Sequence, residues 1–320
     1  MKALNMFGLS AITLALVGCG GGGSEESETL GGSPTVTTES LVTWSSAGGA
    51  NTNVESDAQT IGSELRTGVI TAKGNSPYTG DEVTYEFDSS GELSRIAVGL
   101  QTDTGSSSYN TGIWTLTDDG NYVEINEPLV VSVFADPVNS GFEYQSYGAW
   151  TEVAMSTERD FYATTFGVVS TEPQIPDSGT ATFTGSAAGV YFNETDTATV
   201  TVKSDMTASV DFGAGTAAVA LSNSALEDPF AGTPNDQTAY VAGMSASDFD
   251  IGFTLSNGGD QNATMTTTTV TGGAFGGANF TARGEFYGTT AQEIGGVFQA
   301  DVTNGSGDKE VFVGGFGGAQ

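Results

Sequence analysis

The sequence contains no histidine, one cysteine and few cations. Without histidine there is no Ser-His-Asp triad, no imidazole general base and no His-ligated zinc or haem. A single cysteine excludes an intrachain disulfide, a Cys-rich zinc site and a Cys-ligated iron–sulfur cluster. Eight Lys and Arg stand against 39 Asp and Glu, for a formal net charge of −31. We therefore do not expect a nucleic-acid partner, because phosphate binding needs clustered cations.

The acidic side chains have two interpretations. They either keep the surface hydrated and resist association, or they hold a cationic ligand or a metal. They are scattered along the chain and do not form groups at metal-ligand spacing. We prefer the first interpretation, and we expect no metal and no cofactor.

The composition favours an all-β protein. Of 320 residues, 38% are hydrophobic and 10% aromatic, which is too apolar for a disordered chain. Glycine occurs 46 times, about twice its usual share, whereas proline occurs 8 times. Many glycines between short apolar runs are typical of strands joined by tight turns.

The N-terminal residues predict a lipid anchor. Lys2 is a short positive region, and Leu9 to Val17 is an apolar run too short to span a membrane. The run ends in Leu16-Val17-Gly18-Cys19, which resembles the lipobox of bacterial lipoproteins, where the cysteine thiol is acylated and becomes the first mature residue. We expect residues 1–18 to be a signal peptide and Cys19 to be the anchor. The alternative is an ordinary secretory peptide with a chance cysteine.

Residues 19–40 predict a flexible tether. Four glycines and a serine follow Cys19, and three glutamates come next within Glu25 to Glu28. No aspartate follows Cys19 directly, so nothing marks retention at the inner membrane. We therefore expect an outer-membrane protein that is displayed on the cell surface.

The body divides into two predicted domains, 41–172 and 173–320, because Pro173 and Pro176 mark a linker. Residues 54–66 are the one stretch that could form a short helix. Turns are predicted at 118–121 and at Ser204-Asp205. About eight strands fit after residue 179, which is enough to close a small barrel.

Alternating apolar residues predict which faces of the later strands line the barrel. Phenylalanine is frequent among them, so we expect a barrel that is filled by side chains. The predicted inner faces are Met206, Ala208, Val210 and Phe212; Phe249, Ile251, Phe253 and Leu255; and Phe280, Ala282, Gly284 and Phe286.

Three sequence blocks carry a resemblance to a known family. They are Ser146–Trp150 with Phe161–Gly167; Pro176–Gly185 with Gly189 and Tyr191; and Gly284–Phe298. With the terminal Val313–Gly317, they resemble the β-barrel domain of transferrin-binding protein B and its relatives, which include factor H-binding lipoproteins and transferrin-binding protein-like solute-binding lipoproteins. The resemblance covers residues 140–320, and residues 41–139 would match the family's handle domain only by position and strand content.

The resemblance implies an N-terminal β-rich handle and a C-terminal eight-stranded antiparallel barrel. It also implies a lipid-anchored surface protein that captures a protein or a small ligand through loops. An outer-membrane transporter and a surface lipoprotein export factor are the further partners it suggests. The family's motif identifies a fold, so we read Phe183, Phe286 and Phe298 as barrel filling, and Glu293 as bonded to the turn made by residues 288–292.

Particular residues bear on three other functions: calcium binding, glycoside hydrolysis and iron capture. The run at 118–121 could be half of a calcium loop, but the spaced acids of that motif are missing. Paired carboxylates could hydrolyse glycosides without histidine, but nothing selects a pair, so we expect no enzyme and no catalytic residue. An iron-related cargo stays open, since haem could be held by tyrosine or methionine.

One region and one further function also remain open. The region is rich in aromatic residues, and it is either core packing or a binding patch for a sugar or a partner protein. Its residues are Tyr109, Trp114, Trp150, Phe161 and Tyr162. The other alternative is a structural or adhesive surface lipoprotein that transports no cargo.

Overall fold

The computed structural model describes the strands of the chain and several of the turns between them. The described residues are 35–37, 53–66, 69–73, 82–87, 93–100, 109–125, 130–152, 159–194, 198–229, 231, 238–239, 248–256, 264–272, 279–303 and 307–320. Strands dominate these ranges, which confirms the all-β prediction. No helix within them is long and apolar enough to cross a membrane.

Ten strands form the N-terminal sheet. They are β1 (Thr35–Thr37), β2 (Asn53–Arg66), β3 (Val69–Lys73), β4 (Glu82–Phe87), β5 (Leu93–Leu100), β6 (Tyr109–Asp119), β7 (Tyr122–Ile125), β8 (Val130–Ala135), β9 (Gln145–Glu152) and β10 (Arg159–Gly167). Their order is β1-β2-β10-β9-β8-β7-β6-β5-β4, and β3 pairs with β2. Because β4 also pairs with β2, the strand order returns to β2.

The helix predicted at residues 54–66 is wrong, since this stretch is strand β2. Its apolar residues at 54, 58, 61 and 65 follow a helical period, which is what misled the prediction. Strand β2 pairs with β10, β3 and β4 along its length. Backbone pairing on both sides therefore overrides the local pattern.

The hairpin predicted at 118–121 is confirmed. Asp119 of β6 pairs with Tyr122 of β7, so Gly120 and Asn121 form a two-residue loop. Gly120 has a φ of +66°, a backbone conformation that glycine adopts without strain.

Eight strands after residue 179 form a closed antiparallel barrel, as predicted. They are β11 (Thr180–Asn193), β12 (Ala198–Asp211), β13 (Thr216–Glu227), β14 (Phe249–Ser256), β15 (Thr264–Thr271), β16 (Asn279–Tyr287), β17 (Glu293–Thr303) and β18 (Lys309–Ala319). The barrel closes where β18 pairs with both β11 and β17.

The turn predicted at Ser204-Asp205 is wrong, because strand β12 continues through it. The inward face of β12 keeps its alternation across this point, since Val202 and Met206 both belong to the buried cluster inside the barrel. The register between β12 and β13 shifts between Lys203 and Asp205. Two steps along β12 there match three along β13, so the extra residue lies in β13, and the change in which side chains face inward occurs in that strand.

The N-terminal sheet packs against one side of the barrel. Strands β8, β9 and β10 contact the outer face of β11, β17 and β18. The buried apolar side chains that meet there form one cluster. Its members are Val131, Ala149, Phe161, Ala163, Val190, Phe192, Val297, Val311 and Val313. One side of the barrel is thereby covered, and the outer face of β12 to β15 carries many exposed side chains.

Candidate binding surfaces

Side chains fill the barrel interior. Apart from Gly284, the inward residues predicted on β12, β14 and β16 belong to one buried cluster, or pack against it in the case of Leu255 and Phe280. Phe183, Phe286 and Phe298 are at most 1% exposed in the same cluster, which confirms that they fill the barrel. An eight-stranded barrel has room inside for side chains or one small ligand, and here side chains occupy that room.

Glycines on neighbouring strands make space for the interior rings. Gly296 of β17 lies opposite Phe316 of β18, and Phe298 lies opposite Gly314. A β-carbon added to Gly296 would lie 2.5 Å from Phe316 Cζ, and one added to Gly314 would also overlap the Phe298 ring. Each ring therefore covers a glycine across the ladder, which explains why phenylalanine and glycine recur together in these strands.

Five aromatic residues crowd the barrel end where β13 joins β14 and β15 joins β16. Phe298 lies 5.0 Å from Phe312 and 5.4 Å from Phe249 between ring centroids. Phe280 stacks on Phe298 at 6.2 Å, and Tyr191 meets Phe312 edge-on at 6.4 Å. Aromatic pairs in such geometries add to the burial energy, so these rings stabilise this end of the barrel.

The aromatic-rich region is core packing where the structure describes it. Trp150 is fully buried between Phe134 and Tyr162, at centroid distances of 5.9 and 5.4 Å. Phe161 packs on Phe192 of the barrel at 5.7 Å. A binding patch made by Trp150, Phe161 and Tyr162 is therefore wrong. The side chains of the other two candidates, at positions 109 and 114, lie outside the described residues.

Glu293 binds across the junction between the sheet and the barrel. Its carboxylate accepts hydrogen bonds from the backbone N–H groups of Glu143 (2.6 Å) and Tyr144 (3.1 Å). Gln292 is the residue that bonds the local turn, through Thr290 N–H. The prediction that Glu293 bonds that turn is therefore wrong. Burial raises the pKa of Glu293 to about 7, although the backbone hydrogen bonds act in the opposite direction.

The junction also contains two side chains of β9, which pack on the glycine-rich outer face of β17 and β18. Gln145 Nε2 donates to the Ile294 carbonyl (2.7 Å), and Tyr147 hydrogen-bonds Ser186 (2.7 Å). A β-carbon added to Gly315 would lie 2.8 Å from Tyr147 Cβ. Burial is the main cause that raises the Tyr147 pKa. These residues hold the two layers together and are not exposed to a ligand.

Gln145 and Tyr147 are junction residues that the sequence did not predict. Alternation did predict strands in this region, but it does not tell which element covers an outward face. The signal that was available is the run of glycines at 314–318, since a strand so poor in side chains needs a neighbour to fill the space above it.

Lys203 connects the two layers at another point. Its ammonium group lies 2.6 Å from a Glu227 carboxylate oxygen and 3.2 Å from one of Glu124 on β7. It also lies 5.1 Å from the centroid of the Tyr122 ring. One of the eight Lys and Arg residues is thus paired with carboxylates between the two layers. Fewer cations are then left to balance the acidic side chains elsewhere on the surface.

A shallow depression of about 470 Å³ lies on the barrel across β11 to β15. Small polar side chains surround it, such as Thr182, Ser209 and Thr268, around Gly252. The hydroxyl groups of such side chains can hydrogen-bond a polar ligand. No group of three or more acidic, cysteine or histidine residues at metal-binding distance occurs in the described part of the chain. Cys19, the predicted anchor, lies outside the described residues.

No protein-family model matches this chain, and no curated protein matches it. Among solved structures, a single mutant of the vaccine antigen transferrin binding protein B from Haemophilus parasuis Hp5 is similar at 13% identity and a TM-score of 0.40. The match covers 78% of this chain and 54% of that one. A double mutant from the same organism is similar at 13% identity and a TM-score of 0.37, and the match covers 78% of this chain and 55% of that one.

Intact Ap-TbpB, with its N and C lobes, is similar at 14% identity and a TM-score of 0.36, with 78% of this chain and 55% of that one covered. The chain spans about half the length of these structures.

Proposed function

We propose that this chain is a lipid-anchored surface protein that captures a protein ligand on its outside and catalyses no reaction. The observation that carries the proposal is the barrel interior, which packed phenylalanine rings fill. Since the side of the barrel at β11, β17 and β18 is covered by the sheet, the remaining outer face and its loops are left for a partner. The proposed division into a handle at 41–172 and a barrel at 173–320 belongs to the same proposal.

The membrane part of the proposal is supported by the N-terminal residues alone. A lipobox-like Leu16-Val17-Gly18-Cys19 followed by a glycine-rich tether fits a body held off an outer membrane. The resemblance of the three sequence blocks supports capture, an outer-membrane transporter as acceptor and a lipoprotein export factor. An iron-related cargo would not use Met206 or Met265, because both side chains are buried in the core.

Replacing Cys19 with alanine should move the protein from the membrane fraction to the soluble fraction. Several acyl chains on one residue anchor a protein stably, and without the thiol none can be attached. Radiolabelled palmitate incorporation and membrane fractionation measure the effect. Cys19→Ser serves as the closest control of size, and it should behave as Cys19→Ala does. Membrane retention of both variants would disprove the anchor.

Native mass spectrometry of residues 24–320, purified from the source cells, should give the bare mass of the polypeptide. A filled barrel has no chamber in which a small molecule would be retained through purification. Denatured protein provides the reference mass. A stoichiometric adduct that is lost on denaturation would contradict exterior capture of a protein and would favour a small cargo.

A further inference from the structure

The barrel ladder is interrupted between β15 and β16. Only Met265 and Thr266 of β15 pair with β16, at Gly284 and Arg283. At the next position, the Thr267 hydroxyl takes the place of the backbone hydrogen-bonding groups of β15. It accepts a hydrogen bond from Ala282 N–H (2.7 Å) and donates one to the Ala282 carbonyl (2.5 Å). Beyond that point, residues 268–271 and 279–281 form no ladder with each other. We call these two facing segments the split.

A second irregularity lies on the other side of β15. The register between β14 and β15 shifts between Gly252 and Phe253, so that Thr268 has no partner on β14. Such a bulge bends a strand and increases its twist. It occurs where the ladder to β16 ends, so the bend accounts for the divergence of the two strands.

Two inward-facing side chains are partly exposed at the split. Val270 and Phe280 both pack on the barrel core, yet both remain partly accessible. The inward residues on the strands beside them, Ile251 and Ala300, are fully buried. Solvent therefore reaches an apolar side chain on each of the two segments, next to strand edges whose backbone is not paired across the split. Edges of this kind are the ones that accept an additional strand.

The charged side chains beside the split determine which kind of strand it would bind. On the outer face, Thr271 pairs with Asp250 and Asn279 pairs with Asp301, so a carboxylate flanks the split on each side. Asp301 also accepts a hydrogen bond from Gln299 (2.8 Å). Arg283 is the cation of β16, and it sits where the ladder is intact. A strand in the split would thus present apolar side chains inward and cationic side chains outward.

We propose that the split between β15 and β16 binds an extended segment of a partner protein, with alternating apolar and basic side chains, by β-strand addition. Backbone hydrogen bonds from residues 268–271 and 279–281 hold the segment. Its apolar side chains contact Val270 and Phe280, and its cations lie near Asp250 and Asp301. This inference names the binding surface and partner chemistry of the proposed function and rests on it only for the existence of a partner.

Hydrogen exchange with a seven-residue peptide of alternating lysine and valine tests the split. In the free protein, the amides of 268–271 and 279–281 that face the split should exchange quickly, and the peptide should slow them at least tenfold. The same peptide N-methylated at alternate residues keeps its side chains but loses donors, so it should bind at least tenfold more weakly. Equal protection by both peptides, or protection outside the split, would overturn the proposal.

Exposed threonines beside the split supply the matching variants. Thr269→Lys with Thr281→Lys adds two cations on the outer face and should weaken the lysine–valine peptide about tenfold at low salt, with less effect at high salt. Thr207→Lys on β12 is the matched control and should change the affinity less than twofold. Equal weakening by the control would show that net charge, and not the split, governs binding.

The two tests separate the two proposals. Peptide exchange on the purified protein depends on the split alone, whereas Cys19→Ala fractionation depends on the anchor alone. A failed exchange test together with a confirmed anchor would overturn the split and leave surface capture in place. A successful exchange test together with membrane retention of Cys19→Ala would leave the split in place and overturn the anchored function.

Discussion

Phe298→Ala should lower the free energy of unfolding by about 3–5 kcal/mol. Phe298 is 1% exposed, contacts the rings of Phe249, Phe280 and Phe312, and lies over Gly314. Its removal loses the transfer energy of the ring and leaves a cavity that Gly314, which has no side chain, cannot fill. Urea denaturation followed by tryptophan fluorescence measures the loss.

Phe280→Ala is the matched control for that result. Phe280 belongs to the same aromatic group but is partly exposed at the split. Its replacement should cost less, because part of its surface already faces water. Equal losses at the two positions would contradict the difference in burial between the two rings.

The second large effect is a pH dependence centred on Glu293. This side chain is 2% exposed, and its pKa is about 7 in the folded protein against 4.5 for an ordinary glutamate, mainly because burial disfavours the charge. The folded state therefore prefers the protonated form. Stability from this group is fully present below pH 4.5 and falls by about 3 kcal/mol as the pH rises through 7.

Glu293→Gln isolates this contribution from those of the other carboxylates. Glutamine cannot ionise, so the stability of the variant relative to the wild type should improve by about 3 kcal/mol between pH 4.5 and pH 8. Asp177→Asn, at an exposed position, controls for the removal of one negative charge. Urea denaturation at several pH values gives the difference. A difference that stays constant with pH would show that Glu293 does not titrate at the junction.

The interior of the barrel could be predicted from the sequence because it depends on a local rule. Side chains alternate across a strand, so Met206, Val210 and Phe253 mark inward faces without knowledge of any neighbour. The same rule predicted eight strands, and an even number of antiparallel strands can close on itself.

The junction and the split could not be predicted because they depend on which strands meet. Glu293 lies one residue from a turn, and only the packed sheet shows that it binds Glu143 and Tyr144 instead. Strand β2 follows a helical period and forms a strand through its partners. The run Thr266–Thr269 was a usable signal for the split, because four like residues contain no alternation to set a register.

Strand β18 also determines the order in which the protein can be assembled. It pairs with β11, more than a hundred residues earlier in the chain, and its outward residues Val311 and Val313 complete the apolar surface on which the sheet rests. Until β18 has been synthesised, the barrel has two open edges and the sheet lacks part of its support. Contacts so distant in sequence slow folding. The barrel therefore cannot close until the last strand is available, and its earlier strands emerge before their final neighbour exists.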